Sequence, residues 1–143
     1  MAGVVNAPML STEYTAAVGD PAHLNDVPIR VNEAPSLAKA PVSTGFPYDF
    51  TQRSGVLQDI SVLTTRVRDF RLINAAALDI CGVAEGRTDA HVARSLPIWD
   101  YAAATLIADR AGAEVRITQE GPDRAELMVV ASPSLVKELA PLL

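Results

Sequence analysis

The segment that most constrains the fold is a helical stretch that polar residues hardly interrupt. Residues 74–84 read Asn-Ala-Ala-Ala-Leu-Asp-Ile-Cys-Gly-Val-Ala, with Asn74 placed to cap the helix and Gly86 placed to end it. Its positions are small and apolar nearly all round, which predicts burial on several sides rather than on one face. Other elements therefore have to pack around this helix.

Strand and helix patterns alternate around it over residues 40–143. The period-2 and period-3.6 patterns predict strands at Pro41–Thr44, Val67–Leu72, Asp89–Ala93, Glu114–Thr118 and Glu126–Ala131. They predict helices at Ser54–Thr65, Asn74–Ala84 and Trp99–Ala111, and a last helix capped by Ser132 with Pro133 at its first position. This alternation is typical of an α/β sandwich in which helices cover both faces of a sheet.

Residues 1–38 have a different character. Strands are predicted at Gly3–Pro8, Ser11–Ala17 and Pro28–Val31, with turn signals between them and no helix. We therefore divide the chain into strands of an N-terminal sheet (1–38) and a C-terminal α/β domain (39–143). The N-terminal strands would leave open edges and an uncovered apolar face, so we expect the isolated chain to be marginally stable or dependent on another chain.

Composition excludes several classes of protein. Apolar residues make up 49% of the chain and charged residues 20%, which is typical of a globular domain. The net charge of −5 argues against nucleic-acid and anionic-membrane surfaces. The single Cys81 lies in an apolar run, which predicts a buried small hydrophobe in a reducing compartment. No apolar run is long enough for a membrane span and no signal peptide is recognised, so we expect a cytoplasmic protein.

Most of the common catalytic arrangements are absent from the sequence. The two histidines, His23 and His91, are too isolated for a zinc site, and we expect a hydrogen-bonded structural role for His91. The segment that stands out is Leu96–Ala104, which places Asp100 at the start of a helix. A carboxylate there has a structural explanation, because it interacts favourably with the positive helix end by roughly 0.3–1 kcal/mol.

Three motifs together support a functional explanation. The first is Trp99-Asp100-Tyr101-Ala102-Ala103-Ala104, followed later by Arg110-Ala111-Gly112-Ala113-Glu114-Val115. The second is the Ala75–Ala90 stretch. The third is the predicted Gly3–Pro8 strand and the Tyr14-Thr15-Ala16 segment after it. In this order they resemble the C-terminal half of the inositol monophosphatase family, over nearly the whole chain. The family includes fructose-1,6-bisphosphatases and 3′-phosphonucleotide phosphatases. The resemblance implies a layered α/β sandwich with an incomplete N-terminal sheet and a mixed C-terminal sheet flanked by helices.

The resemblance also implies an activity and a site. The family hydrolyses phosphate monoesters of small polyols or nucleotides with the help of Mg²⁺. By position, Asp100 would be a magnesium ligand close to the substrate hydroxyls, Trp99 would support it from the core, and Ala76 and Ala93 would border the substrate pocket. The implied partners are a phosphorylated small molecule and either a second copy of the chain or a missing N-terminal half.

The departures from the family pattern matter as much. The Asp-Pro-(Leu/Ile)-Asp-Gly-(Thr/Ser) signature and an upstream Glu ligand do not occur, so the metal site would be incomplete and the chain alone inactive. Ala93 stands where many members have a Glu, which argues against inositol as the substrate, and Asn74 stands where many have Gly or Ser. Three hypotheses stay open: an incomplete copy of a phosphatase, a non-catalytic interaction or dimerisation module, and one half of a split enzyme.

Overall fold

Two sheets and four helices alternate in layers in the computed structural model, which describes residues 1–143. The first sheet is an antiparallel meander of β1 (Ala2–Ala7), β2 (Thr12–Ala17), β3 (His23–Leu24) and β4 (Val27–Pro28). The second has the order β6-β5-β7-β9-β8, formed by β5 (Pro41–Ser43), β6 (Asp69–Arg71), β7 (Ala90–Pro97), β8 (Glu114–Gln119) and β9 (Arg124–Ala131). It is mixed, because β5 runs parallel to β6 and β7 whereas β9 runs antiparallel to β7 and β8.

The four helices form two pairs. They are α1 (Arg53–Leu63), α2 (Ala76–Ala84), α3 (Ala102–Arg110) and α4 (Pro133–Leu139). Helices α2 and α3 lie between the two sheets in a cluster of 16 buried apolar residues, and α1 and α4 cover the other face of the second sheet in a cluster of 11. The predicted α/β sandwich with helices on both faces of a sheet is confirmed.

Helix α2 has the multi-sided burial that its sequence predicts. Every residue from Asp79 to Ala84 is buried, because one side packs against β7 and β9 and another against α3 and β1. The helix ends before Gly86, whose φ of 78° lies in the left-handed region that favours glycine.

Several strand boundaries differ from the prediction. Strand β3 was not predicted, and β4 covers Val27–Pro28 rather than Pro28–Val31. Strand β7 extends to Pro97 instead of ending at Ala93, because its pairing with β9 continues past an irregularity at Ser95, where φ is 58°. Long-range pairing of this kind extends a strand beyond its local apolar pattern.

The helix predicted over Trp99–Ala111 begins later than expected. Residues Ile98–Asp100 form a 3₁₀ turn, and the α-helix starts at Ala102. The prediction that Trp99 supports Asp100 from the core is wrong, since the Trp99 side chain is 76% exposed. Tyr101 is the aromatic residue buried at this point, because the 3₁₀ turn rotates the chain before the helix begins.

Two predicted helix caps also differ. Asn74 does not cap α2; its φ is 62° and its side chain bonds to another loop, and Ala75 occupies the N-cap position. Ser132 does precede Pro133 at the start of α4, but its hydroxyl pairs with the Ser134 hydroxyl at 3.1 Å instead of with the backbone.

Two further observations concern the organisation of the chain. The division proposed at residues 38 and 39 falls within a 3₁₀ helix, Leu37–Lys39, and stays a prediction. Among the helices, none combines the length and the apolar character that a membrane crossing would need.

Candidate functional site

A cleft of about 620 Å³ opens where β5, β7 and α2 meet. Its walls are formed by the loop after β5, the N-terminal turn of α2 and the last half of β7. The 3₁₀ turn Ile98–Asp100, called the Trp-Asp turn below, also lines it. Its lining is Gly45, Phe46, Pro47, Tyr48, Asp49, Gln52, Asn74, Ala75, Ala76, Ala77, Leu78, Asp79, His91, Ala93, Arg94, Ser95, Leu96, Pro97, Trp99, Asp100 and Arg124. The fold thus brings four separate segments of the chain to one concave surface, as binding sites require.

The three residues predicted for the site all line this cleft. Asp100 lies at its end in the 3₁₀ turn after β7, Ala76 is the first residue of α2, and Ala93 is on β7. Asp100 is half-buried, and none of the four ion pairs of the chain engages its carboxylate. The roles assigned to these residues stay predictions, whereas their common location is a property of the fold.

Asn74 and Arg53 hold the loop after β5 in place. The Asn74 Oδ1 accepts a hydrogen bond from the Phe46 backbone N–H at 2.6 Å. Arg53 donates through Nε to the Pro47 carbonyl at 2.9 Å, and its guanidinium lies 4.2 Å from the centroid of the Phe50 ring. The sequence analysis did not predict these contacts, although Asn is one of the residues that most often adopt the left-handed backbone conformation, and here it directly precedes an apolar helix.

Basic side chains border the cleft along the end of β7. Arg94 donates to the buried Asp59 carboxylate of α1 through Nε at 2.6 Å and through Nη2 at 2.8 Å. Arg124 on β9 donates to the Ser95 carbonyl at 3.0 Å. The Asp59 carboxylate balances the charge of Arg94, whereas Arg124 has only a carbonyl partner and keeps its positive charge beside the cleft.

Two buried titratable residues also line the cleft, His91 on β7 and Asp79 on α2. Burial lowers the pKa of His91 to about 4 and raises the pKa of Asp79 to about 6. The hydrogen bond predicted for His91 is confirmed at one ring nitrogen, since Nδ1 lies 2.9 Å from the Ser43 hydroxyl. The sequence analysis did not single out Asp79, although a lone acidic residue inside an apolar helix indicates a titratable group with a shifted pKa and therefore a candidate site residue.

Cys81 lies outside the cleft and is fully buried, as predicted. Burial raises the pKa of its thiol to about 12, so the thiol stays protonated at neutral pH. A protonated and inaccessible thiol is not a nucleophile.

Residues 1–143 contain no group of three or more His, Cys, Asp or Glu side chains that could hold a metal ion. Asp100 nevertheless fits a single position in a magnesium shell, because it offers hard carboxylate oxygens that face the cleft without an ionic partner. Mg²⁺ commonly takes one or two protein carboxylates and completes its shell with water and substrate phosphate.

Two sheets with a helix pair between them and a cleft beside the Ile98–Asp100 turn define a layered α/β protein. The model of the inositol monophosphatase family matches residues 1–142, and the chain belongs to that family. It is 38% identical to an inositol-1-monophosphatase of Mycobacterium bovis over 97% of the chain. It is 34% identical to the Nus factor SuhB of Pasteurella multocida over 96% of the chain.

Solved structures agree with this assignment. The extragenic suppressor protein suhB of Bartonella henselae superposes with a TM-score of 0.89 at 30% identity, covering 99% of this chain and 55% of that one. Mycobacterium tuberculosis SuhB gives a TM-score of 0.83 at 36% identity over 92% of this chain and 53% of that one. The chain spans about half the length of the relatives that it matches, 50% of the Mycobacterium bovis protein and 52% of the Pasteurella multocida protein.

Proposed function

We propose that this chain forms one part of a Mg²⁺-dependent phosphomonoesterase that acts on a small polyol or nucleotide phosphate. The observation that carries the proposal is that Asp100, Ala76 and Ala93 line one cleft in a member of the inositol monophosphatase family. A cleft of about 620 Å³ lies within the range of small-molecule sites.

In this proposal Asp100 is the magnesium ligand that the chain supplies. An Mg²⁺ ion held there would supply Lewis-acid chemistry, that is, polarisation of the phosphate and a lower pKa for a nearby water. Asp100 holds its carboxylate at the end of the cleft, where the Trp-Asp turn fixes it between β7 and α3. The remaining ligands would come from residues other than these 143, so the chain alone would be inactive.

The other residues of the cleft would bind and orient the ester. Ala76 and Ala93 contribute only methyl groups, which leaves space for the leaving group between α2 and β7. Arg124 borders the same space, and its positive charge would help to hold an anionic group there. The Ser95 carbonyl holds Arg124 in place, so Arg124 would orient the ester without side-chain rearrangement.

A second candidate function is a non-catalytic interaction or dimerisation module. Two observations favour it: several relatives are Nus factors, including that of Pasteurella multocida at 34% identity, and β1 presents an exposed edge of the first sheet. An exposed edge strand is a ready site for pairing with another chain. A homodimer, or a complex with a chain that supplies the missing ligands, would cover it.

The first test is the intact mass of the protein purified from its source cells, followed by phosphate release with and without Mg²⁺. We expect a mass above 15.2 kDa, or a co-purifying chain, and Mg²⁺-dependent release that Asp100→Asn abolishes. Asp109→Asn is the matched control, because Asp109 is exposed on α3 and does not line the cleft. A protein of 15.2 kDa that purifies alone and releases no phosphate would favour the interaction module.

A further inference from the structure

Aromatic side chains are scarce in this chain, and several of them lie at the cleft. The chain has three Phe, three Tyr and one Trp, and of these Phe46, Tyr48 and Trp99 line the cleft. Tyr48 is 88% exposed and Trp99 is 76% exposed. An exposed aromatic ring gains little from the hydrophobic effect, so two such rings at one concave surface need an explanation.

Packing within the chain does not explain these two rings. Tyr101, and not Trp99, is the aromatic residue that the Trp-Asp turn delivers to the core. Phe50 is also exposed, but its ring has a partner, because the Arg53 guanidinium lies 4.2 Å from its centroid. Tyr48 and Trp99 take part in neither of the two cation–π contacts of the chain. Their faces are therefore free to contact a ligand.

The backbone on both sides of Tyr48 is anchored, although its ring is exposed. Before it, the Pro47 carbonyl accepts the hydrogen bond from Arg53 Nε at 2.9 Å. After it, Asp49 Oδ1 accepts hydrogen bonds from the Thr51 backbone N–H at 2.9 Å and from the Thr51 hydroxyl at 2.7 Å. A ring on a fixed backbone loses little conformational entropy when a ligand binds to it.

Positive charge lies near this segment of the loop. The pKa of the Asp49 carboxyl is below its ordinary value, mainly because Thr51 donates hydrogen bonds to it and also because of the positive charge of Arg124. Arg124 lines the same cleft and has only the Ser95 carbonyl as a partner. A ligand that joins a flat ring to an anionic group would therefore match both Tyr48 and Arg124.

We propose that Tyr48 and Trp99 are specificity-determining residues that stack on a planar heteroaromatic ring, so that the cleft takes a nucleotide rather than a polyol phosphate. The choice of substrate rests on the proposed phosphatase function, whereas the binding of the ring does not. Every nucleobase has a π-face that stacks on aromatic side chains. A polyol ring is puckered and has no π-face, so it gains less from Tyr48 and Trp99.

The test uses the fluorescence of Trp99, which is the only tryptophan of the chain and therefore reports on this site directly. The protein is titrated with adenosine monophosphate, and ribose 5-phosphate is the matched ligand that lacks the base. We expect saturable quenching by the nucleotide and none by the sugar phosphate. Neither titration requires a metal ion or turnover.

Variants test which side chains hold the ring and which hold the phosphate. Tyr48→Ala should weaken nucleotide binding about tenfold, and Tyr48→Phe should retain it. Phe50→Ala is the matched control, because Phe50 is an exposed aromatic residue of the same loop that does not line the cleft. Arg124→Gln should weaken binding of the nucleotide and leave binding of adenosine unchanged.

Three results would overturn the inference. They are equal quenching by ribose 5-phosphate, an equal loss of affinity in Tyr48→Ala and Phe50→Ala, and an emission spectrum that changes with protein concentration but not with the nucleotide. The last result would mean that a second copy of the chain covers these rings.

The two proposals can fail separately. Nucleotide binding without Mg²⁺-dependent phosphate release by the protein from its source cells would remove the proposed function only. Release of phosphate with a KM for the nucleotide that Tyr48→Ala does not change would remove the present inference only.

Discussion

The two sheets of the molecule are covered differently. Helices cover both faces of the five-stranded sheet, α2 and α3 on one side and α1 and α4 on the other. The four-stranded sheet packs against α2 and α3 with one face only, and along β1 the outward residues Ala2, Val4 and Asn6 are exposed. Local alternation predicts strands in both sheets, but it does not show what covers them.

The four-stranded sheet therefore depends on a few close contacts with the helix pair. A Cβ atom added to Gly3 of β1 would lie 3.0 Å from the Ala103 carbonyl oxygen of α3. Tyr14 of β2 donates to the Glu85 carboxylate after α2 at 2.9 Å. The comparison teaches that the inner helix pair stabilises both sheets, whereas only one sheet has a second support.

The largest effect should come from a cavity in the shared layer. Ile80 of α2 is fully buried between the sheets, so Ile80→Ala should lower the free energy of unfolding by about 2–5 kcal/mol. Leu57→Ala on α1 is the control, because Leu57 is 57% exposed and its loss should cost less than about 1 kcal/mol. Urea unfolding of both variants measures the difference, and similar losses in the two would contradict a shared core.

The second prediction concerns pH and the five-stranded sheet, whose β7 carries His91. The folded pKa of His91 lies near 4, below its ordinary value of 6.5, so the unfolded chain binds the proton more tightly. Its contribution to stability is complete above pH 6.5 and is lost as the pH falls towards 4, by roughly 3 kcal/mol. Asp79 acts in the opposite sense: its pKa is raised from 3.8 to about 6, so stability is gained as the pH falls from 6 to 4.

The two contributions should largely cancel in the natural protein, and single variants should separate them. On acidification from pH 7 to 4, His91→Phe should gain stability relative to the natural protein, and Asp79→Asn should lose it. Chemical unfolding at a series of pH values measures both differences. Parallel curves for the two variants would show that burial does not shift these groups in opposite directions.

The third prediction separates the two sheets directly. Gly3→Ala should cost about 1–3 kcal/mol, because its methyl group meets backbone atoms of Ala103 that have little freedom to move. Amide hydrogen exchange should accelerate in β1 and β2 while β7 and β9 keep their protection. Val4→Ala, at a neighbouring residue that is 56% exposed, should leave exchange in both sheets unchanged. Equal acceleration in all four strands would mean that the sheets open together.

Sequence alone predicts much of this fold, and the errors have a common cause. Most strands and helices follow from local apolar periodicity, which is why α1, α2, β8 and β9 lie close to their predicted positions. The extension of β7 to Pro97 depends on pairing with β9, and the exposure of Trp99 depends on a 3₁₀ turn. Neither of these features leaves a local signal.

The candidate site shows the same limit. Asp100, Ala76 and Ala93 could be proposed because a motif resemblance carries them over position by position. His91 and Asp79 could not be assigned to one cleft, because this requires the layer contact between α2 and β7. The role of Asn74 was missed for a related reason, since its partner Phe46 lies 28 residues earlier in the chain.

The smallest effect should come from the loop that lies outside both sheets. Asn74→Gly keeps the left-handed φ of 62° without strain but removes the acceptor of the Phe46 N–H, so it should cost about 0.5–1.5 kcal/mol. Asn74→Ala should cost roughly 1 kcal/mol more, because alanine adopts this φ unfavourably. Exchange of the Phe46 amide should accelerate in both variants, while the strands of the two sheets stay protected.

Asn74→Asp is the conservative control, since a carboxylate oxygen can still accept this hydrogen bond and aspartate tolerates the same backbone conformation. Retention of slow Phe46 exchange in Asn74→Gly would mean that Arg53, through its bond to the Pro47 carbonyl, holds the loop without Asn74.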